Sequence, residues 1–245
     1  MIGSLCFTIL ATFISLGFTE IEEKKRKTNY KKDLWLGMKF IANSQRLRSL
    51  FLYSGVAWGI FCLMSTYRSS LLVDIGAPEQ IITMIAAVLS LASAFGSKKQ
   101  LSFHQFFRNK SLSVILFTIT FSIFVIGIIA VLNISYEITI WVLGIGFSLV
   151  NFAKGMSGIL ATRYLGNFAN EKIVTQIYAV NAISRNVFRA IISFLGSYLL
   201  QITNTSNSMI VVGIILLITT LGLVSYMKTR LGLKPTEYNA DEIFK

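Results

Sequence analysis

Long apolar runs separated by short polar breaks dominate the chain. Seven uncharged or nearly uncharged stretches recur along it, at 2–18, 50–73, 79–96, 111–132, 137–161, 173–201 and 208–227. Each reaches the roughly 17 to 25 residues that a helix needs to cross a bilayer. None shows the ten-residue alternation of apolar and polar positions that a spanning strand would carry. The pattern therefore predicts an all-α, polytopic membrane protein with seven transmembrane helices.

The longest polar break lies between the first two stretches. Its second part places Leu34, Met38, Ile41 and Gln45 at helical spacing with Trp35 beside them, which predicts a short amphipathic helix lying on the inner membrane surface, apolar side inward, with a solvated charged linker as the alternative. The expected organisation is a transmembrane helix over 1–19, a basic linker over 20–49, a six-helix bundle over 50–227 and a tail over 228–245. The other breaks are short. In "DIGAPEQ", Gly76 and Pro78 are expected to stop the preceding helix, and "NISYE" and "TNTSN" are turns too short to form a domain outside the membrane. Gly55 and Gly59 form a GxxxG pair, and Gly144, Gly155 and Gly158 punctuate the fifth stretch, as close helix packing would require.

Composition fits the pattern: 54% of residues are hydrophobic, 14% are charged and the mean hydropathy is +0.66. A net charge of +12 would suggest nucleic acid as a partner in a soluble chain, but the placement of the charges argues otherwise. Of the 23 Lys and Arg, nine lie in 20–49, four in 97–110, two in 162–172 and four in 228–245, while 74–78, 133–136 and 202–207 hold none. This alternation is the positive-inside bias. It predicts that the basic segments and the C-terminus are cytoplasmic, in a plasma-membrane protein, and no aromatic-interleaved basic face remains for nucleic acid. Cys6 and Cys62 fall in apolar stretches and read as small packing residues. No basic region precedes the first apolar run, so a cleaved signal peptide is not expected. A start directly at a spanning helix suggests a fragment.

The segments "FTEIEEKKRKTNYKKDLWLGMKFI", "NSQRLRSLFLYSGVAWGIF", "SSLLVDIGAP", "AVLSLASAFGSKKQ" with "FFRNK", and "TRYLGNFANEKIVTQIYAVNAISRNVFRAIISFLGSYLL" resemble the major facilitator superfamily of transporters. The resemblance extends across the join between that family's two six-helix halves. It implies that the seven stretches correspond to family helices six to twelve, an MFS-like C-terminal bundle plus the preceding helix. It also implies that helices seven, eight, ten and eleven line a central cavity while six, nine and twelve pack outside. The family's loop motif of a glycine followed four residues later by aspartate is degenerate here: Gly96 fits, but Gln100 stands where the acid belongs.

Four cations remain inside the apolar stretches: Arg68, Lys154, Arg185 and Arg189. They fall on the implied cavity-lining helices, and 2–18, 111–132 and 208–227 contain no ionisable residue. Arg68 and Lys154 are near enough to span ends to reach an interface by snorkelling. Arg185 is placed near mid-membrane, where exposure to lipid costs on the order of 3 kcal/mol. Tyr178, Asn181, Arg185, Arg189 and Gly196 share one line of the helix to within about 40 degrees. Asn151, Lys154, Gly155 and Gly158 form a weaker polar face on the fifth stretch. All eleven Asp and Glu lie in loops or at span ends, so the counter-charge to Arg185 is expected from a missing N-terminal half, from a bound anion, or from both in turn.

The expected function is a secondary transporter moving a small solute, one with an anionic group, by alternating access, with Arg185, Arg189, Asn181, Tyr178, Lys154, Asn151 and Arg68 as substrate-binding candidates. Its partners are the bilayer, the solute, and a missing half or a second copy. A heptahelical receptor and a packing protein without transport are the alternatives. A retinal protein would need a lysine within 208–227, which has none, and no constellation of acids, bases or metal ligands suggests an enzyme or a cofactor. His104 reads as a surface residue.

Overall fold

The computed structural model describes residues 30–132, 134–169, 173–228 and 230–231. All regular structure among them is helical: α1 (Tyr30–Asn43), α2 (Gln45–Asp74), α3 (Glu79–Phe107), a 3-10 turn (Arg108–Lys110), α4 (Ser111–Val131), α5 (Tyr136–Phe168), α6 (Val174–Ile202) and α7 (Thr205–Lys228). The expected span over 2–18, the first part of the linker and most of the tail lie outside the described residues. The chain divides into two compact units, Met1–Asp33 and Leu34–Lys245, and the packing below belongs to the second.

Four helical stretches are long and apolar enough to cross a membrane: Gln45–Asp74, Glu79–Val131, Tyr136–Phe168 and Thr205–Lys228. The second, of 53 residues, would run about 80 Å if straight, more than two bilayer cores. It is in fact α3 and α4 joined at the 3-10 turn. α6, which carries the two arginines, does not reach the same apolarity. Large apolar side chains cover the outside, among them Leu91, Trp141, Phe194 and Ile218, each at least 66% exposed. Such a surface suits lipid and marks association with a membrane.

Local chemistry sets the helix ends. Ser44 alone separates α1 from α2: its backbone is extended and its Oγ accepts from the Leu47 amide at 3.2 Å, an N-cap. α2 ends at Asp74, ahead of Gly76 and Pro78, as the sequence predicts; Gly76 adopts the left-handed conformation, φ +77°, and Pro78 occupies the position before α3 without a side-chain cap. Three boundaries differ from expectation. α2 starts at Gln45 rather than 50, α3 runs on to Phe107 rather than ending at 96, and α5 continues to Phe168. The basic segment 97–110 is thus mostly helix. Gly96 does not stop the helix because it sits where α3 meets α5: a side chain there would overlap the Phe152 carbonyl oxygen.

α1 buries Gly37, Phe40 and Ile41 and exposes Trp35, Leu36 and Met38. Its inward line therefore differs from the expected Leu34, Met38, Ile41 and Gln45. A side chain on Gly37 would press on the Gln176 carbonyl of α6, so tertiary packing claims one face and leaves Trp35, Leu36 and Met38 on the other.

α2 is the innermost helix, with Leu47, Leu50, Tyr53, Ile60 and Leu72 fully buried. It packs along α6 and also meets α5 and α7. α3 packs along α5, and α4 along both α5 and α7. Exchanging α2, α3, α4 for α5, α6, α7 leaves this pairing pattern unchanged: α2 with α6 becomes α5 with α3, α2 with α7 becomes α5 with α4, and α4 with α7 maps to itself. Both long pairings are made by glycine. Gly55 and Gly59 of α2 receive Phe188 and Ile192 of α6, while Gly96 and Gly155 each rest against a backbone carbonyl of the other's helix, Phe152 and Ser93.

Candidate functional site

Three of the four cations from the apolar stretches come together on one side of α2. A cleft of about 420 Å³ opens between α2, α5 and α6, with Lys154, Arg185 and Arg189 on its cationic walls. α2 supplies Trp58, Phe61, Cys62 and Ser65, and α6 adds Ala182 and Asn186. Among the described residues no carboxylate lines it. Asp33, Asp74, Glu79 and Glu137, the acids among the described residues, all sit within a turn or so of helix ends. At the N-termini of α1, α3 and α5 they complement the helix dipole instead.

Arg185 lies eleven residues beyond the start of α6 at Val174, about 16 Å along its axis. It is half-buried and donates from Nε to Ser54 Oγ at 2.5 Å, and its guanidinium carbon sits 5.5 Å from the centre of the Trp58 ring. Lys154 is half-buried with Nζ 6.0 Å from the ring centres of both Trp58 and Phe61. These contacts are cation–π interactions. Arg189, one turn further along, is exposed and donates from Nε to Cys62 Sγ at 3.2 Å. Beneath Arg185 a void of about 20 Å³ touches Ser54 and Ser157, room for one water. Tyr53 Oη and Ser157 Oγ hydrogen bond there at 2.8 Å, holding α2 to α5.

Of the seven candidates from the sequence, Lys154, Arg185 and Arg189 line the cleft, and the other four do not. Asn151 spends its amide on the Phe147 carbonyl of its own helix at 2.9 Å. Tyr178 donates to the Thr162 carbonyl at 3.1 Å, tying α6 to α5. Asn181 is 4% exposed, and its Oδ1 has no hydrogen-bond partner. Arg68 lies on α2 beyond the cleft. Gly196 ends the polar stripe for a packing reason, since a side chain there would overlap Leu63 of α2. Tyr67 also donates to the Gly196 carbonyl at 3.0 Å and hydrogen bonds with Ser208.

Sequence reasoning missed the α2 wall. The signal was present: Ser54, Trp58, Phe61, Cys62 and Ser65 recur at spacings of four, three, one and three, a single helical face interrupting an apolar run. A larger cleft of about 720 Å³ between α3 and α5 is walled by residues such as Ile81, Met84, Val88, Trp141 and Leu149. Apart from Tyr136, Glu137 and Ser148 its lining is apolar, which suits acyl chains rather than a polar solute.

Comparison with protein-family models, with curated proteins and with solved structures gives no match.

Proposed function

We propose that the chain is the C-terminal part of a secondary transporter of the major facilitator type, which binds the anionic group of a small solute in the cleft between α2, α5 and α6. The observation that carries this reading is the convergence of Lys154, Arg185 and Arg189 from two helices on a cleft that no carboxylate lines among the described residues. Cations at membrane depth face bundle interiors or aqueous paths, and they need a partner. A bound anion supplies one.

The pairing pattern supports the transporter class. Two three-helix units, α2–α4 and α5–α7, exchange without altering the main helix pairings. Three spans per unit is an odd number, so the two units enter the membrane from opposite faces, the inverted-repeat arrangement of such transporters. α2, α5 and α6 line the cleft, and α4 and α7, whose apolar parts carry no charge, pack behind. In this reading α2 to α7 and the stretch 2–18 are the seven spans, the basic ends are cytoplasmic, and the protein resides in the plasma membrane. An N-terminal six-helix half, or a second copy, closes the cleft, and rocking between the two gives alternating access.

The test is solute flux in cells carrying the gene in its natural surroundings. Arg185→Ala and Arg189→Ala are expected to abolish flux of an anion-bearing solute while protein levels hold. Unchanged flux of every solute the cells handle through this protein would overturn the reading.

A further inference from the structure

We infer that the solute of this cleft presents at least two negative charges at one end, as a dicarboxylate or a phosphate monoester does. The inference rests on the anion-binding reading above and sharpens it. Its basis is the number of cations and the way they are held.

Arg185 and Arg189 are each anchored from behind through Nε, one on Ser54 Oγ and the other on Cys62 Sγ. A guanidinium fixed at Nε offers its two Nη groups as a fork suited to a pair of oxygens. Among the described residues neither fork has a hydrogen-bond partner, and Lys154 Nζ touches only the faces of Trp58 and Phe61. A monoanion can fill one fork. It would leave two cations facing each other across a cleft that no acid among the described residues lines, and uncompensated charge in a partly buried site is costly. A dianionic head with three or four oxygens can meet both forks and the ammonium together. At about 420 Å³ the cleft is larger than such a head and falls in the range of small-molecule sites. Trp58 and Phe61 offer an apolar wall to the remainder of the solute, with Ser65 and Asn186 as polar neighbours.

Cys62 gives a direct readout. The chain has two cysteines, so Cys6→Ser leaves Cys62 as the single thiol. The rate at which uncharged N-ethylmaleimide modifies it in nanodiscs reports occupancy of the cleft. Acetate, succinate and methyl phosphate are compared at constant ionic strength and pH 8, where the phosphate monoester is a dianion. Both dianions are expected to protect Cys62 at concentrations at least tenfold below acetate. The more effective dianion identifies the head group as carboxylate or phosphoryl. Lys154→Gln, with helicity checked by circular dichroism, is expected to shrink that tenfold preference severalfold. Equal protection by acetate would overturn the two-charge inference and leave the anion site standing, and so would an undiminished preference in Lys154→Gln. Failure of every anion to protect would overturn the anion-binding reading itself.

Discussion

Two alanine substitutions on α5 separate the packing argument from simple helix propensity. Gly144 and Gly155 both lie inside the helix, but a methyl group at Gly144 meets nothing within 4 Å, whereas one at Gly155 overlaps the Ser93 carbonyl oxygen of α3 and crowds the Ser97 amide. Alanine is favoured over glycine in a helix by about 1 kcal/mol, so Gly144→Ala is expected to be neutral or to stabilise by up to that amount. At Gly155 the obstacle is backbone, which cannot rotate aside. The two helices must separate, at an overpacking cost of about 1–3 kcal/mol. Separation also loosens the reciprocal contact at Gly96 and the Ser97 Oγ hydrogen bond to the Gly155 carbonyl at 3.2 Å. The two variants should therefore differ by about 1–4 kcal/mol, or some 2–16 °C in Tm for a chain of this length. Thermal unfolding in detergent micelles, followed by the helical circular dichroism signal, measures it. A Gly155→Ala protein that melts at or above Gly144→Ala would refute the close α3–α5 crossing.

Other consequences follow from single hydrogen bonds and from their absence. Tyr67→Phe removes the hydroxyl that links α2 to the Gly196 carbonyl and to the buried Ser208, and is expected to cost about 1–2 kcal/mol in the same melt. Asn181→Leu replaces a buried amide whose Oδ1 is unpaired with an apolar group of similar size, so stability should rise by about 1 kcal/mol. Solute flux should be unchanged in Asn181→Leu, and lost flux with an intact fold would return Asn181 to the binding site. Arg68→Gln should leave the anion protection of Cys62 as it is, because Arg68 does not line the cleft.

The apolar runs made the positions of α2 to α7 legible, but not their ends. Hydropathy marks where an apolar run ends, and α3 and α5 continue as helices beyond that point, through Lys98 to Phe107 and Thr162 to Phe168. Nothing in those stretches breaks a helix strongly, and the close approach of α3 to α5 that Gly96 permits was invisible in the sequence. The same limit governs the site. A helical line through Tyr178, Asn181, Arg185, Arg189 and Gly196 gives a direction, which proves to be toward α2. It cannot say which members meet space and which meet a neighbour. Arg185 and Arg189 find the cleft, Asn181 is buried at its side, and Gly196 serves the contact with Leu63. Lys154 was legible as a cation at depth, but its association with Trp58 required the crossing of α2 and α5. The Ser54 to Ser65 face was readable in principle, and its lack of charge hid it.

The central claim is that the cleft is a site of positive potential. It is tested most directly by the charge selectivity of thiol labelling at Cys62 in a Cys6→Ser background, using methanethiosulfonates bearing a sulfonate or a trimethylammonium group and normalising each rate to a free thiol. A single unit charge about 5 Å away contributes about 0.8 kcal/mol even at the dielectric of water. The two reagents differ by two charges, so Arg189 alone favours the anionic reagent by about tenfold. The account predicts a normalised preference of at least that size in the wild-type cleft, falling by about tenfold in Arg189→Gln. A normalised preference near one, or one that Arg189→Gln leaves untouched, would contradict it.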